Sequence, residues 1–290
     1  MTIPQLLRIR LQNQQLSRQQ FKTPGEVVEW MGAVQAQDYL GALWSIGMRL
    51  PKASEAVVEK GIADKTMVRT WPMRGTLHFV SPKDIRWMLK YLAPRVQSKG
   101  ASVFRREGLD TKQFTKALKL WEKALGGGHA LVRDEMYDVL EKGKLSAKGT
   151  RGLLMLGYAA QEGLLCFGER KGKQQTFVLL DEWLPAREKE LSKDEAMARL
   201  AEIYIRSHGP VLVEDLAWWS GLTKTETTAA IHSISDRLSS ENCDGKTYWF
   251  FPPDNITVKP VCALLPTYDE FGVAYKDREP IIQRDEMKDF

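Results

Sequence analysis

Two stretches that match at Leu, Val and Asp, Leu131-Val132-Arg133-Asp134-Glu135-Met136 and Leu212-Val213-Glu214-Asp215-Leu216-Ala217, restrict this chain more than any other feature. Each opens a helix-period apolar pattern, a second helical pattern follows (148–162 and 224–237, the latter capped by Thr223), and each run ends in two strand-like segments. Those segments lie at 164–181 around Gly168–Gly172 and at 238–251 around Asp244-Gly245. A repeated helix-turn-helix closed by a hairpin is a winged helix, and two copies in matched order predict a tandem array. A third, divergent copy is expected at the N-terminus. There, residues 4–16, 24–34, 38–49 and 52–62 have helical periodicity, Thr23-Pro24-Gly25-Glu26 supplies a cap with proline in the first turn, and 67–80 reads as a hairpin around Gly75. The fold class is therefore mainly α with β-hairpin wings (α+β): three tandem winged-helix units, at 1–106, 107–190 and 191–255. Residues 256–290 alternate apolar and polar side chains and carry Pro260, Pro266 and Pro280, which predicts strands and turns.

With 43% hydrophobic and 27% charged residues over 290 positions, the composition is that of a globular chain of two or three compact units. No apolar run reaches the roughly 18 residues a membrane helix needs, and the first sixteen residues lack the apolar core and cleavage site of a secretory signal. Cys166, Cys243 and Cys262 are far apart and odd in number, and His78, His129, His208 and His232 are scattered. No disulfide framework, metal site or cofactor is expected, and the location expected is a reducing cytoplasm. Charge is unevenly spread. Ten Lys/Arg stand against one acid, Asp84, between Lys65 and Arg106, a net of +9 that leaves −4 for the remainder of the +5 chain. Such a block is the footprint of a polyanion-binding surface, or else a solvated helix face.

Two polar segments interrupt core-like sequence: Gln35-Ala36-Gln37-Asp38, and Arg69 to His78. Buried polar groups cost free energy unless bonded, so each needs a structural partner or a task. Residues two apart share a side only on extended backbone, so for Gln35 and Gln37 to serve one ligand the link between the flanking helices must be extended or irregular, with Asp38 at the next N-cap. A carboxamide does not titrate near neutrality, but it can hold a water by donating and accepting at once. In the second segment, Arg69 and Arg74 have the fork that grips phosphate, and Thr76 and His78 share one face of a strand. Trp71 is most simply core, and His78 is equally readable as a packed, hydrogen-bonded ring. Lys148 and Arg151 stand where a recognition helix would meet phosphate, and Lys246 near a hairpin tip is placed either to reach a groove or to remain solvated. Lys224 opens the corresponding helix of the third unit, but Glu226 beside it makes that unit a poorer partner for DNA.

The stretches GAVQAQDYLGALWSIGMR and RTWPMRGTLHFVSPKD resemble the two signature segments of the AlkZ/YcaQ-type DNA glycosylases, a family of tandem winged-helix proteins, and the resemblance runs from Leu7 to about Ile282. It implies excision of bulky or cationic N-alkylpurines from double-stranded DNA. Family members with Gln-x-Gln are associated with unhooking interstrand crosslinks, and a sister group carries Gln-x-Asp. It implies Gln35 and Gln37 as the catalytic pair, Arg74, Thr76 and His78 as a lesion-proximal group contacting DNA, and Trp218-Trp219-Ser220-Gly221 as family wording on an amphipathic helix. It also implies that Tyr268-Asp269-Glu270 and Tyr275-Lys276-Asp277-Arg278 begin a C-terminal β-barrel, incomplete in a chain ending at Phe290. The weak base suits the substrate, because a cationic purine is already a good leaving group and needs only an oriented water and a field that stabilises the sugar cation. A monofunctional enzyme, a monomer acting on nucleoid DNA, is expected. The alternative is a non-catalytic winged-helix DNA-binding protein, a regulator or architectural factor, since fold does not settle function. A scaffold for protein partners would explain neither the +9 block nor the glutamine pair.

Overall fold

The computed structural model describes residues 1–185, 190–252 and 261–282. Helices α1 (Ile3–Asn13) and α2 (Pro24–Met31) lead to a short strand β1 (Ala33–Gln35), then α3 (Tyr39–Met48) and α4 (Glu55–Ala63). A hairpin of β2 (Val68–Met73) and β3 (Thr76–Val80) precedes the long helices α5 (Ile85–Arg106) and α6 (Thr111–Leu125). Next come β4 (Leu131–Val132), α7 (Arg133–Lys142), α8 (Arg151–Gln161), β5 (Leu165–Phe167), β6 (Thr176–Leu179) and the single turn α9 (Leu180–Trp183). The chain continues through α10 (Lys193–His208), α11 (Val213–Ser220) and α12 (Lys224–His232), a 3-10 turn at Ser235–Arg237, the hairpin β7 (Ser239–Cys243) and β8 (Lys246–Phe250), and α13 (Glu270–Val273). The result is a mixed α/β protein rich in helix, with antiparallel strands and no closed barrel among the described residues. No helix among them is long and apolar enough to cross a membrane.

Local chemistry accounts for the helix boundaries. Thr2, Thr23, Asp110, Ser192 and Thr223 each close a capping box, taking the N3 backbone N–H while the N3 Gln or Glu side chain returns to the cap. Glu226, which reads in sequence as an electrostatic liability, is the return half of the Thr223 box. The helix expected over 224–237 stops at His232, and the one expected to begin at 148 begins at Arg151.

The chain divides into two compact units, Met1–Val58 with Leu191–Phe290, and Glu59–Glu190. The stretch 1–106, expected to form one unit, therefore contributes to both. The physical reason lies in the hairpin: Trp71 and Leu77 of β2 and β3 belong to the same core as Phe114, Trp121, Met136, Leu156, Phe167 and Phe177. In that unit the strands run β3-β2-β5-β6-β4, all antiparallel. The fully buried Trp121 donates its indole N–H to the Met136 carbonyl at 2.9 Å, so its polar atom is satisfied inside the core.

The other unit packs α1 and α2 on α10, and α10 and α11 on α12. Expectation and structure part at the C-terminus. Residues 256–260 and 283–290 lie outside the described residues, and 261–282 contain no strand, only the short α13. Instead of starting a barrel, Asp269, Glu270, Ala274 and Tyr275 are buried in the unit that holds α1, where their polar atoms partner the C-cap side chains of α1 and α3 (Gln14 and Arg49) and side chains of α10 and α11 (Tyr204 and Trp219).

Candidate functional site

The glutamine segment is built by an abrupt change of direction. Helix α2 ends at Gly32, whose φ of +78° favours glycine, and a Cβ there would lie 2.2 Å from Ile203 Cγ2. The backbone can therefore turn hard against α10 and extend at once into β1. Gln35 ends that strand and Gln37 follows in irregular backbone before α3, as a shared ligand requires. The two are not equally accessible: Gln35 is 9% exposed, whereas Gln37 is exposed. Asp38 occupies the α3 N-cap position, but its side chain makes no capping hydrogen bond.

Gln35 is held from behind. Its backbone N–H donates to Glu270 Oε1 at 2.7 Å, and the second oxygen of that buried carboxylate accepts from Trp219 Nε1 at 3.0 Å. The amide oxygen of Gln35 is itself buried, and no group among the described residues hydrogen-bonds it. A buried acceptor left unbonded carries its full desolvation cost, which marks Gln35 as a group with a task beyond packing. The other end of the same segment is fixed by Asp269, which takes both guanidinium nitrogens of Arg49 at 2.7 and 2.9 Å and the Ser45 hydroxyl at 2.6 Å. Burial pushes the Asp269 carboxyl up, yet the Arg49 charge outweighs it and holds the group below its usual range. Burial pushes His208 the other way, below its ordinary value, against the opposing pull of Glu270, whose Oε2 lies 3.6 Å from His208 Nε2.

In the other unit, the β2–β3 hairpin turns at Arg74 and Gly75, with φ of +56° and +77°, while Met73 pairs with Thr76. Two positive φ values in a two-residue loop are the signature of a type I′ turn, unusual for arginine and placing its side chain at the tip. His78 is fully buried: Nδ1 lies 3.0 Å from the Thr76 carbonyl and Nε2 lies 3.2 Å from Arg74 Nη2. Arginine can only donate, so Nε2 accepts and Nδ1 carries the proton, which is the neutral tautomer. His78 thus acts as a support for Arg74. Thr76 is half-buried, with an Oγ1 that has no hydrogen-bond partner among the described residues.

The remaining sequence candidates separate on contact. Arg69 is 5% exposed with its guanidinium over the Phe167 ring at 4.7 Å, so it packs inside and does not present a phosphate fork. Arg151 is half-buried and bonds the carbonyls of Ser146 and Glu107, tying the start of α8 to preceding loops. Lys148 is exposed in the turn before α8. Lys246 is not at the hairpin tip, which is Asp244-Gly245, and its ammonium lies on Asp277 at 2.6 Å and Glu279 at 2.9 Å. Part of the +9 block is answered within its own unit, through Arg86 with Asp181 and Lys90 with Glu190. Trp71 is core, stacked obliquely on Phe167, and Trp219 is fully buried while its neighbour Trp218 is half-exposed. The groups that sequence reasoning missed are Glu270, Asp269 and Arg49. Two adjacent acids within an otherwise apolar and aromatic stretch were the available signal.

Helices and antiparallel hairpins in this order define a mixed α/β architecture that is also found in the solved Streptomyces sahachiroi DNA glycosylase AlkZ. The two superpose with a TM-score of 0.73, over 87% of this chain and 70% of that one, at 24% identity. The chain belongs to the AlkZ-like DNA glycosylase family, whose model matches residues 28–288. A curated relative from Streptomyces sahachiroi, named interstrand DNA cross-link repair glycosylase, is 28% identical over 248 residues, 82% of this chain. The chain spans 66% of that relative's length.

Proposed function

We propose that this protein is a monofunctional DNA glycosylase that hydrolyses the N-glycosidic bond of cationic or bulky N-alkylated purines, interstrand crosslinks among them. The observation that carries the reading is the buried amide oxygen of Gln35, without a hydrogen-bond partner among the described residues, at the end of a strand whose backbone is fixed and two residues from the exposed Gln37. Family membership and the printed activity of the curated relative support it. A water donating one O–H to Gln35 Oε1 and oriented by the Gln37 carboxamide attacks C1′ of the damaged nucleotide as the C1′–N bond breaks. The bonding pair neutralises the positive charge on the purine, the base departs, and the water's proton passes to solvent. The product is an abasic site. Neither glutamine takes a proton from the water or supplies one to the base, which restricts the pair to bases that leave without acid help.

Helices α7 and α8 with the β5–β6 hairpin, and α11 and α12 with β7–β8, are read as winged helices, and the protein as a monomer on nucleoid DNA. Arg74 and Thr76 at the first hairpin and Lys148 before α8 contact DNA, with His78 orienting Arg74. Arg69, Arg151 and Lys246 serve the protein's own packing.

The test is single-turnover incubation with a duplex carrying one N7-methylguanine, followed by alkaline cleavage of abasic sites, alongside a Gln35→Ala/Gln37→Ala double variant. Strand breaks with the native protein, at a rate reduced about 100-fold or more in the variant at unchanged DNA affinity, are expected. Binding without breaks, on this lesion and on a crosslinked duplex, would establish a DNA-binding regulator instead.

A further inference from the structure

The signature segment 33–49 is gripped at both ends by one dipeptide. Glu270 takes the backbone N–H of Gln35 at 2.7 Å, and its neighbour Asp269 takes Arg49 through two bonds and Ser45 through a third. Both carboxylates are buried, at 0% and 1% exposed, and both are themselves fixed: Asp269 Oδ1 accepts from the Phe271 N–H at 2.9 Å, and Glu270 Oε2 accepts from Trp219 Nε1. We infer that Asp269 and Glu270 form a two-point clamp that sets the geometry of the Gln35–Gln37 segment, with Glu270 a positioning residue for hydrolysis. The inference rests on the reading of those glutamines as the water-holding pair.

A three-residue strand and an irregular link carry little geometry of their own. Gln37 lies in irregular backbone between β1 and the α3 N-cap, so the direction in which Gln35 projects depends in part on what anchors its own backbone N–H. A charge-assisted bond from a buried carboxylate is short, directional and difficult to displace. Trp219 occupies the second oxygen, so the carboxylate cannot rotate away from Gln35. His208 Nε2, at 3.6 Å from Oε2, is beyond hydrogen-bond length, and its ring bonds Ser207 Oγ through Nδ1 at 2.8 Å. Reaction rates fall about 100-fold for misplacements near 1 Å, so a group that fixes the backbone behind a water-holding side chain controls rate without touching substrate. Segment 261–282 thereby supplies part of the hydrolytic machinery.

Glu270→Gln is nearly isosteric, removes the charge and offers an amide nitrogen where one acceptor is needed. On the N7-methylguanine duplex it should lower the single-turnover rate at saturating protein about 10- to 100-fold, while affinity for an abasic-site duplex stays within about twofold of native. Leu6→Ala serves as the control for mere destabilisation. Leu6 is fully buried in a separate cluster with Leu212, Cys243 and Tyr248, so its loss should depress the melting temperature at least as far yet leave the rate within about threefold. Should Glu270→Gln not fold, Trp219→Phe carries the test. It keeps most of the ring and frees Oε2, and the rate should again fall at unchanged affinity. A clamp variant that folds and cleaves at the native rate, or Leu6→Ala losing rate in proportion to its lost stability, overturns the clamp alone. Absence of breaks with native protein, or native rates in Gln35→Ala, overturns the glutamine reading as well.

Discussion

Arg49 places two guanidinium nitrogens on the two oxygens of Asp269, at 2.7 and 2.9 Å, and this fully buried fork joins the end of α3 to the segment 261–282. The fork nitrogens also donate to Gln14 Oε1 and to the carbonyl and hydroxyl oxygens of Ser45, while the buried Nε has no hydrogen-bond partner among the described residues. Asp269→Asn leaves a buried cation with a neutral partner and should cost about 3–5 kcal/mol of unfolding free energy. The pH dependence has a definite sign. Burial opposes ionisation of Asp269, but Arg49 prevails and the folded carboxyl lies below its unfolded value of 3.8. The folded state therefore binds this proton more weakly. The pair's contribution is complete above about pH 4 and disappears as pH falls through the lowered folded value. Chemical denaturation across the acid range should show native protein losing stability there, with a shallower acid limb in Asp269→Asn.

His208 supplies a second titration at milder pH. It is buried against Tyr204, Trp219 and Tyr275, with Glu270, Arg49 and Ser207 as its polar and charged surroundings, and burial lowers its pKa below 6.5. The unfolded chain takes up a proton on this imidazole first, so stability should decline as pH drops below about 6.5 and level off beneath the depressed folded value. Substituting His208→Gln should remove that portion of the slope whatever it does to absolute stability. Equal slopes in the two proteins between pH 5 and 7 would exclude His208 as the source.

Much of this architecture was legible in sequence because its determinants are local. Caps at Thr23 and Thr223 and the Gly75 hairpin follow from residues within a few positions of one another. What could not be read is non-local. Glu270 lies 235 positions from Gln35, and nothing near it marks it as the partner of a backbone amide. The alternation in 256–290 suggested strands because apolar and polar residues alternate there too. In the structure the polar positions Asp269 and Glu270 face inward, onto Arg49 and Gln35, and period-two reasoning assumes that they face water. Arg69, Arg151 and Lys246 were likewise indistinguishable in sequence from cations without intramolecular partners, because the partners they find are ones that only folding supplies.

At the first hairpin, stability and function should separate. Arg74 holds a φ of +56°, a conformation costing a non-glycine residue about 1–2 kcal/mol, and its contact with His78 returns about 0.5–1.5 kcal/mol. Arg74→Ala loses the contact and retains the strain, whereas Arg74→Gly loses the contact and relieves it. Arg74→Gly should therefore be the more stable of the two by about 1 kcal/mol, with both equally impaired in binding duplex DNA. Matching melting curves for the two variants would show that the turn carries no strain.

Lys148 and Lys246 provide the sharpest separation of surface lysines, because sequence makes both candidates for DNA contact and structure gives only Lys246 two carboxylate partners. Lys148 is exposed ahead of α8, while Lys246 sits between Asp277 and Glu279 with its proton held more tightly than in a free lysine. A lysine already neutralised by two carboxylates has little left to offer a phosphate and releases few counterions on binding. Lys148→Ala should weaken DNA binding across sequences and reduce the slope of log affinity against log salt by about 1. Lys246→Ala should leave affinity and slope unchanged and lower stability by no more than about 1 kcal/mol, as partly exposed pairs do. Salt titrations of both variants against one undamaged duplex decide the matter. A reduced slope in Lys246→Ala would mean that its carboxylate partners release it when DNA arrives.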